Sequence, residues 1–266
     1  MANLTLLYAK AALTAFTRRG GELPESSLDA EVTVDAVHLA RYGKVCGFGV
    51  RDELPITYPH VLGFGLQMRL MTGPGFPFPL PGLVHVANRI RQHRPVLVSE
   101  PLSLRVAASN LRPHERGRQF DVVTAVSVDG EEVWVDVSTY LRREGAGSGE
   151  PASPADPPAA TARWRLPGDL GRRYAEASGD RNPIHLNPLA AKAFGFRRAI
   201  AHGMWSKARC LAAFEGRLPD AYEVDVRFKA PILLPGEVDF SSSRTGDGWR
   251  FALWSGRPHL EGVISG

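Results

Sequence analysis

The sequence predicts an α+β protein made of two similar units. Three observations predict it: a Pro/Gly/Ala-rich stretch near the middle, short motifs repeated in the same order on either side, and strand-like runs around one apolar helical candidate per side. Residues 144–160 read Glu-Gly-Ala-Gly-Ser-Gly-Glu-Pro-Ala-Ser-Pro-Ala-Asp-Pro-Pro-Ala-Ala. That composition suits an extended or flexible linker rather than a packed element. It divides the 266 residues into an N-terminal unit, 1–143, and a C-terminal unit, 161–266.

The repeats come in order. Arg41-Tyr42-Gly43-Lys44-Val45-Cys46-Gly47 aligns with Arg173-Tyr174-Ala175-Glu176-Ala177-Ser178-Gly179. A helical candidate follows in each unit, entered by Pro59-His60-Val61-Leu62 in the first and Ala201-His202-Gly203-Met204 in the second. Then Pro95-Val96-Leu97-Val98 aligns with Pro231-Ile232-Leu233-Leu234. One such match means little; three in sequence point to an internal duplication. The runs 119–128, 132–141, 223–228 and 249–254 are rich in Val, Phe, Trp or Tyr and partly alternate polar with apolar, which predicts strands. Asp129-Gly130 between the first two predicts a hairpin turn.

Composition narrows the function classes. Hydrophobic residues make up 44% and charged residues 23%, ordinary for a globular protein able to bury a sizeable core. No apolar run is long enough to span a bilayer. Met1–Phe16 carries Lys10 in its middle and lacks a basic start and a small-residue cleavage site, so it reads as mature protein. Two cysteines, Cys46 and Cys210, make no disulfide framework; they read as buried inert thiols in a cytoplasmic protein. The net charge of +4 rests mostly on arginine, compatible with a phosphate-bearing substrate. Zinc-finger spacing, leucine heptads and RNP-like strands are all missing, so nucleic acid is not an expected partner.

The chemistry concentrates in residues 178–203. Ser178-Gly179-Asp180-Arg181-Asn182-Pro183-Ile184-His185 puts a carboxylate and an imidazole five residues apart on a segment stiffened by Pro183. Such a pair can move a proton onto or off a water. Gly203, at the start of a helical candidate running to about Phe214, can offer its backbone N–H to an oxyanion. Together they suggest water addition to, or loss from, a carbonyl-activated substrate. Asp180 and His185 alone are only two metal ligands, with no third expected nearby, and no Cys/His group has zinc spacing. No metal or redox cofactor is therefore expected. Neither a Rossmann glycine pattern nor a P-loop is present.

Tyr174-x-x-x-Ser178-Gly179-Asp180-x-Asn182-Pro183-Ile184-His185, then Phe194-Gly195-Phe196 and Ala201-His202-Gly203-Met204, resembles the signature of the (R)-specific enoyl-CoA hydratases and MaoC-like dehydratases. The resemblance implies a double hot-dog fold: two repeats, each a long helix wrapped by an antiparallel sheet. It implies a (3R)-hydroxyacyl-thioester dehydratase of fatty-acid metabolism, reversible as an enoyl-CoA hydratase by syn addition of water. Asp180 and His185 would hold the water, Asn182 would position them, and the Gly203 N–H would meet the thioester carbonyl. Ser206 is either a thioester contact or a backbone hydrogen-bonder. The side chain of His202 reads as structural, and Arg197-Arg198 as a solvated face. The substrate would be a thioester of CoA or of acyl carrier protein.

The first unit departs from this pattern. Its interval from Gly47 to His60 is ten residues shorter than the interval from Gly179 to His202, and Phe48 stands where the second has Asp180. It is expected to be catalytically silent, with Met68, Leu70, Met71 and the Phe76–Pro81 stretch lining room for an acyl chain. Single hot-dog members of the family pair, so two repeats in one chain can satisfy that interface internally; a homodimer is the further assembly left open. The alternatives are a hot-dog acyl-thioesterase, which the Asp-x-Asn-Pro-x-His loop argues against, and a non-catalytic acyl-binding subunit, which has no use for an acid–imidazole pair.

Overall fold

The computed structural model describes residues 21–144 and 157–266. The Met1–Phe16 reading, and all of the proposed linker except its ends, lie outside the described residues. The first half contributes β1 (Leu28–Val32), α1 (Ala36–Cys46), α2 (Tyr58–Thr72), β2 (Leu83–Gln92), β3 (Leu102–His114), β4 (Gly117–Val128) and β5 (Glu131–Arg143). The second contributes β6 (Ala162–Leu166), α3 (Leu170–Ser178), α4 (Pro183–Leu186), α5 (Pro188–Ala193), α6 (Gly203–Ala212), β7 (Tyr222–Phe228), β8 (Gly236–Thr245), β9 (Gly248–Trp254) and β10 (Pro258–Ser265).

The strands form one ten-stranded sheet in the order β1-β3-β4-β5-β2-β7-β10-β9-β8-β6. Every pairing is antiparallel. Read outward from the centre, the order is the same on both sides. The halves therefore repeat one topology about a seam between β2 and β7, where Ala87 faces Arg227 and Gln92 faces Tyr222.

Local chemistry explains where elements start and stop. Asp35 caps α1 by accepting from the Val37 and His38 N–H groups at 2.8 and 3.2 Å. Gly47 (φ 89°) and Gly179 (φ 76°) end α1 and α3 in the left-handed conformation that suits glycine. Asp129 and Gly130 both have positive φ, the two-residue turn that matches strand twist. The aligned Pro-apolar segments make matching bridges, Glu53 to Leu97 and Ile200 to Leu233.

The core contains α2 and α6 with the inward faces of the strands. Twelve of the fifteen residues of α2 are buried, so it is apolar nearly all round rather than amphipathic. The buried Trp134 indole donates to the Ile56 carbonyl at 2.8 Å. One polar network sits inside this core at the seam. Asp136 accepts from Asn88 Nδ2 (2.6 Å) and Ser138 Oγ (3.0 Å) and pairs with His60 Nδ1 (2.5 Å). Lys207 Nζ donates to the Asn88 and Val224 carbonyls, each at 3.1 Å, and to Asn88 Oδ1. Lys207 thus ties α6 to both seam strands. Burial pushes its ammonium down to about 7, against the pull of Asp136, Asp225 and Glu223.

Candidate active site

Residues 179–203 form a folded overhang. Gly179 turns the chain out of α3 and delivers Asp180 to its tip. The Asp180 N–H donates to Ser178 Oγ (3.2 Å), and Asp180 Oδ1 accepts the Asn182 N–H (3.1 Å). Asn182 then caps α4, its Oδ1 accepting the Ile184 N–H at 3.4 Å. Pro183 follows in the first turn, where a missing N–H costs nothing. The single turn of α4 aims His185 inward, and its Nδ1–H donates to the Ile200 carbonyl at 2.8 Å. That bond leaves Nε2 with its lone pair. Burial lowers the His185 pKa, while Asp180 opposes the shift, so the ring is a neutral base at physiological pH.

Asp180, His185 and His202 converge: one carboxylate oxygen and one ring nitrogen from each histidine lie within 4.8 Å of one another. The His202 ring stacks on His185 with centroids 3.7 Å apart and 25° between planes. Its Nε2–H donates to the Asp180 carbonyl at 3.0 Å, and Asp180 Oδ2 lies 3.9 Å from the same nitrogen. The Tyr174 ring also tilts against His202, with centroids 4.9 Å apart. Burial and the neighbouring His185 hold His202 down to about 3, so it stays neutral. The sequence reading that no third metal ligand lies nearby is corrected, since His202 arrives from the far end of the overhang. The three groups nevertheless fit proton transfer better than metal binding. A ligating imidazole points a lone pair along its own plane, and nearly parallel stacked rings point theirs side by side rather than at one ion. Nε2 of His202 is engaged with the Asp180 carbonyl, and its buried Nδ1 has no hydrogen-bond partner among the described residues.

Gly203 follows His202 as the first residue of α6, where backbone N–H groups have no partner within the helix. A Cβ there would lie 3.1 Å from the Phe228 ring, so glycine lets that ring sit against the helix start. Ser206 Oγ donates to the His202 carbonyl at 3.2 Å and is 4% exposed, the backbone alternative of its two readings.

The first half supplies a wall that sequence spacing does not reveal. Phe228 contacts His85 of β2 (centroids 5.0 Å apart), and His85 stacks on Tyr140 of β5 at 4.8 Å. Asp180 acts electrostatically on the Tyr140 phenol, which burial and that charge both push up. In the first half Phe48 follows Gly47 as Asp180 follows Gly179, so no carboxylate stands there. The acid partner of His60 is instead Asp136 from β5, and that pair is sealed, with side chains 6% and 0% exposed. Phe76 and Phe78 pack on Phe120 at 5.3 and 5.4 Å, and Met68, Leu70 and Met71 are buried. Beside α2, a Cβ at Gly65 would meet nothing within 4 Å, so space is open there.

Comparison with known proteins identifies the family and the fold. Residues 152–256 match the MaoC-like domain. The chain is 40% identical to 3-hydroxyacyl-thioester dehydratase X of Mycobacterium tuberculosis, over 98% of this chain and 96% of that protein. The crystal structure of M. tuberculosis HtdX superposes with a TM-score of 0.82 and 39% identity, covering 91% of this chain and all of the other. A second M. tuberculosis protein, described as having a double hot-dog fold, superposes with a TM-score of 0.57 at 13% identity, over 90% of this chain and 94% of its own; it speaks to the fold alone. The fold is thus the expected double hot-dog. With this identity along nearly the full length of both chains, the protein belongs to the MaoC-like dehydratase family.

Proposed function

We propose that the protein is a 3-hydroxyacyl-thioester dehydratase, reversible as an enoyl-thioester hydratase, with Asp180 and His185 as its acid–base pair. The observation that carries this is the pairing of a half-buried carboxylate with a neutral imidazole whose Nε2 is free to accept, beside the N-terminus of α6. In hydration, a water sits between Asp180 and His185 Nε2. The imidazole takes a proton as the water oxygen bonds to Cβ. Negative charge moves to the thioester oxygen, where the Gly203 N–H and the helix dipole stabilise it. A proton from the pair then returns to Cα. Dehydration reverses these steps. The imidazolium formed midway lies beside the Asp180 carboxylate, and the two titrate as a unit.

Asn182 acts through the Asp180 loop and the cap of α4, and Pro183 through rigidity. The sealed His60–Asp136 pair reacts with nothing; the N-terminal unit, residues 1–143, serves as the wall of the acyl site, joined through residues 144–160 to the catalytic unit, 161–266. The product of hydration is the (3R)-hydroxyacyl thioester. A crotonyl-CoA assay tests the reading. Loss of the enoyl-thioester absorbance without thiol release supports it. Thiol release would indicate a thioesterase, and neither signal a binding protein.

A further inference from the structure

The charge of this chain is unevenly placed. Between residues 171 and 198 stand Arg172, Arg173, Arg181, Lys192, Arg197 and Arg198 against only Glu176 and Asp180. That surplus equals the net charge of the whole chain, +4, so the remaining residues balance to zero. All six cations are exposed, and among the described residues none of them makes a salt bridge. Elsewhere among the described residues eight of twenty arginines make salt bridges, Arg105 with Asp29, Arg163 with Asp239 and Arg165 with Glu237 among them. A solvated face formed by chance would mix the signs.

The same segment exposes two large apolar side chains, Leu189 at 74% and Phe194 at 51%. Both flank Lys192 on and just beyond α5. The segment is one compact piece: the Phe196 N–H donates to the Ala191 carbonyl (3.0 Å) and the Ile200 N–H to the Ile184 carbonyl (3.2 Å). Gly171, at the start of α3, packs so tightly on the His185 carbonyl that a Cβ could not fit. The cations of α3 therefore border the same overhang that holds Asp180 and His185.

We propose that this overhang is the docking surface for an acidic protein carrier that presents the acyl thioester on a flexible arm. The inference rests on the dehydratase reading and extends it by naming the form in which substrate arrives. Breadth decides between a protein and a nucleotide. Two or three phosphates on one small molecule need a compact cluster, whereas these cations are spread over α3, the catalytic loop, α5 and the segment after it. Exposed cations without salt bridges and two exposed apolar side chains on one segment match an acidic helix with an apolar ridge.

The test delivers one enoyl group in three forms: on an acidic acyl carrier protein, on CoA and on N-acetylcysteamine. The protein is compared with Arg197→Glu/Arg198→Glu and with Phe194→Asp. The carrier form is expected to have the highest kcat/KM. Both variants should lose about tenfold or more on it, mainly by slower association, and that preference should fade with added salt. Rates on N-acetylcysteamine thioester should not change, which also shows that the variants fold. Equal losses on CoA without a carrier preference would overturn the proposal in favour of nucleotide phosphates. Unchanged rates on all three would overturn it in favour of a solvated face. Carrier binding is also measured directly by fluorescence anisotropy. An active enzyme that does not bind carrier sinks the docking surface alone, whereas carrier binding without hydration of any thioester sinks the dehydratase reading alone.

Discussion

Tyr42 of α1 and Tyr174 of α3 occupy matching positions in the two halves, and their rings meet in the core with centroids 6.2 Å apart. Residues more than a hundred positions apart in sequence thus share one aromatic contact close to where the two halves meet. The symmetry stops one helix end further on. After Gly47 the chain runs on through Phe48, which packs back against Tyr42 at 6.3 Å. After Gly179 it turns out into Asp180 and the overhang of residues 179–203. A structural repeat thus carries the proposed acid–imidazole pair on one side only.

Replacing Asp180 by Asn, or His185 by Ala, is expected to lower enoyl-CoA hydration by about 100- to 10,000-fold, the usual contribution of a general acid or base. Neither side chain belongs to the hydrophobic core, so circular dichroism should stay unchanged. Near-normal turnover in either variant removes that residue from the chemistry.

His202 should matter although it is held neutral. His202→Phe keeps a ring against His185 but loses the Nε2–H that holds the Asp180 carbonyl. Displacement of the loop by a fraction of an ångström is expected to cut kcat by about ten- to a hundredfold, with KM little changed. A change confined to thermal stability would make His202 a packing residue only.

Acid should unfold the protein partly through this histidine. In the folded chain burial holds His202 at about 3, while its ordinary value is 6.5. As pH falls below 6.5 the unfolded chain takes up the proton first, so stability present above 6.5 is lost progressively down to about 3. Urea midpoints across that range should fall less steeply for His202→Phe than for the wild type. Parallel slopes would contradict the assignment.

Lys207 sets a second pH window. Its folded-state value of about 7 lies below the usual 10.5. Between these values the unfolded chain holds the proton and the folded chain does not, so this group makes stability rise with pH. Lys207→Met should flatten the rise between pH 7 and 8.5 by about 1.4 kcal/mol per pH unit at most. An unaltered slope would place the ammonium in contact with water.

Gly63 and Gly65 should respond differently to enlargement. A Cβ on Gly63 would lie 2.8 Å from Thr124 Cγ2, so Gly63→Leu is expected to damage folding. Gly65→Leu should fold and slow a long enoyl-CoA more than crotonyl-CoA. Equal losses on both substrates would argue against an acyl path beside α2. For product stereochemistry, coupling to an (S)-specific hydroxyacyl-CoA dehydrogenase should give no signal; a strong one would contradict the (3R) assignment.

Much of the site is legible in the sequence because Asp180, Asn182, Pro183 and His185 lie on one short segment whose hydrogen bonds are local. The hairpin at Asp129-Gly130 is legible for the same reason. Strand β2 is not. Its inward positions include Asn88 and Gln92, which look solvent-facing until Asp136, Ser138, Lys207 and the Asp220 carbonyl satisfy them from elsewhere. β3 hides behind Pro113 and an irregularity between Ser109 and Arg112. Tyr140 joins the candidate site by tertiary contact and no local pattern marks it, whereas the His202-Gly203 step is visible in the sequence but the stacking of His202 on His185 is not.

The pairing of β2 with β7 has an evolutionary consequence. Two separate chains that met along this edge would have to be identical to recognise each other symmetrically, and every mutation would strike both active sites at once. Holding both copies in one polypeptide guarantees their meeting at any concentration and lets each side of the seam drift alone. An asymmetric contact such as Lys207 of one copy gripping Asn88 of the other can then accumulate. Such a contact joins two copies that differ and has no counterpart between two identical ones.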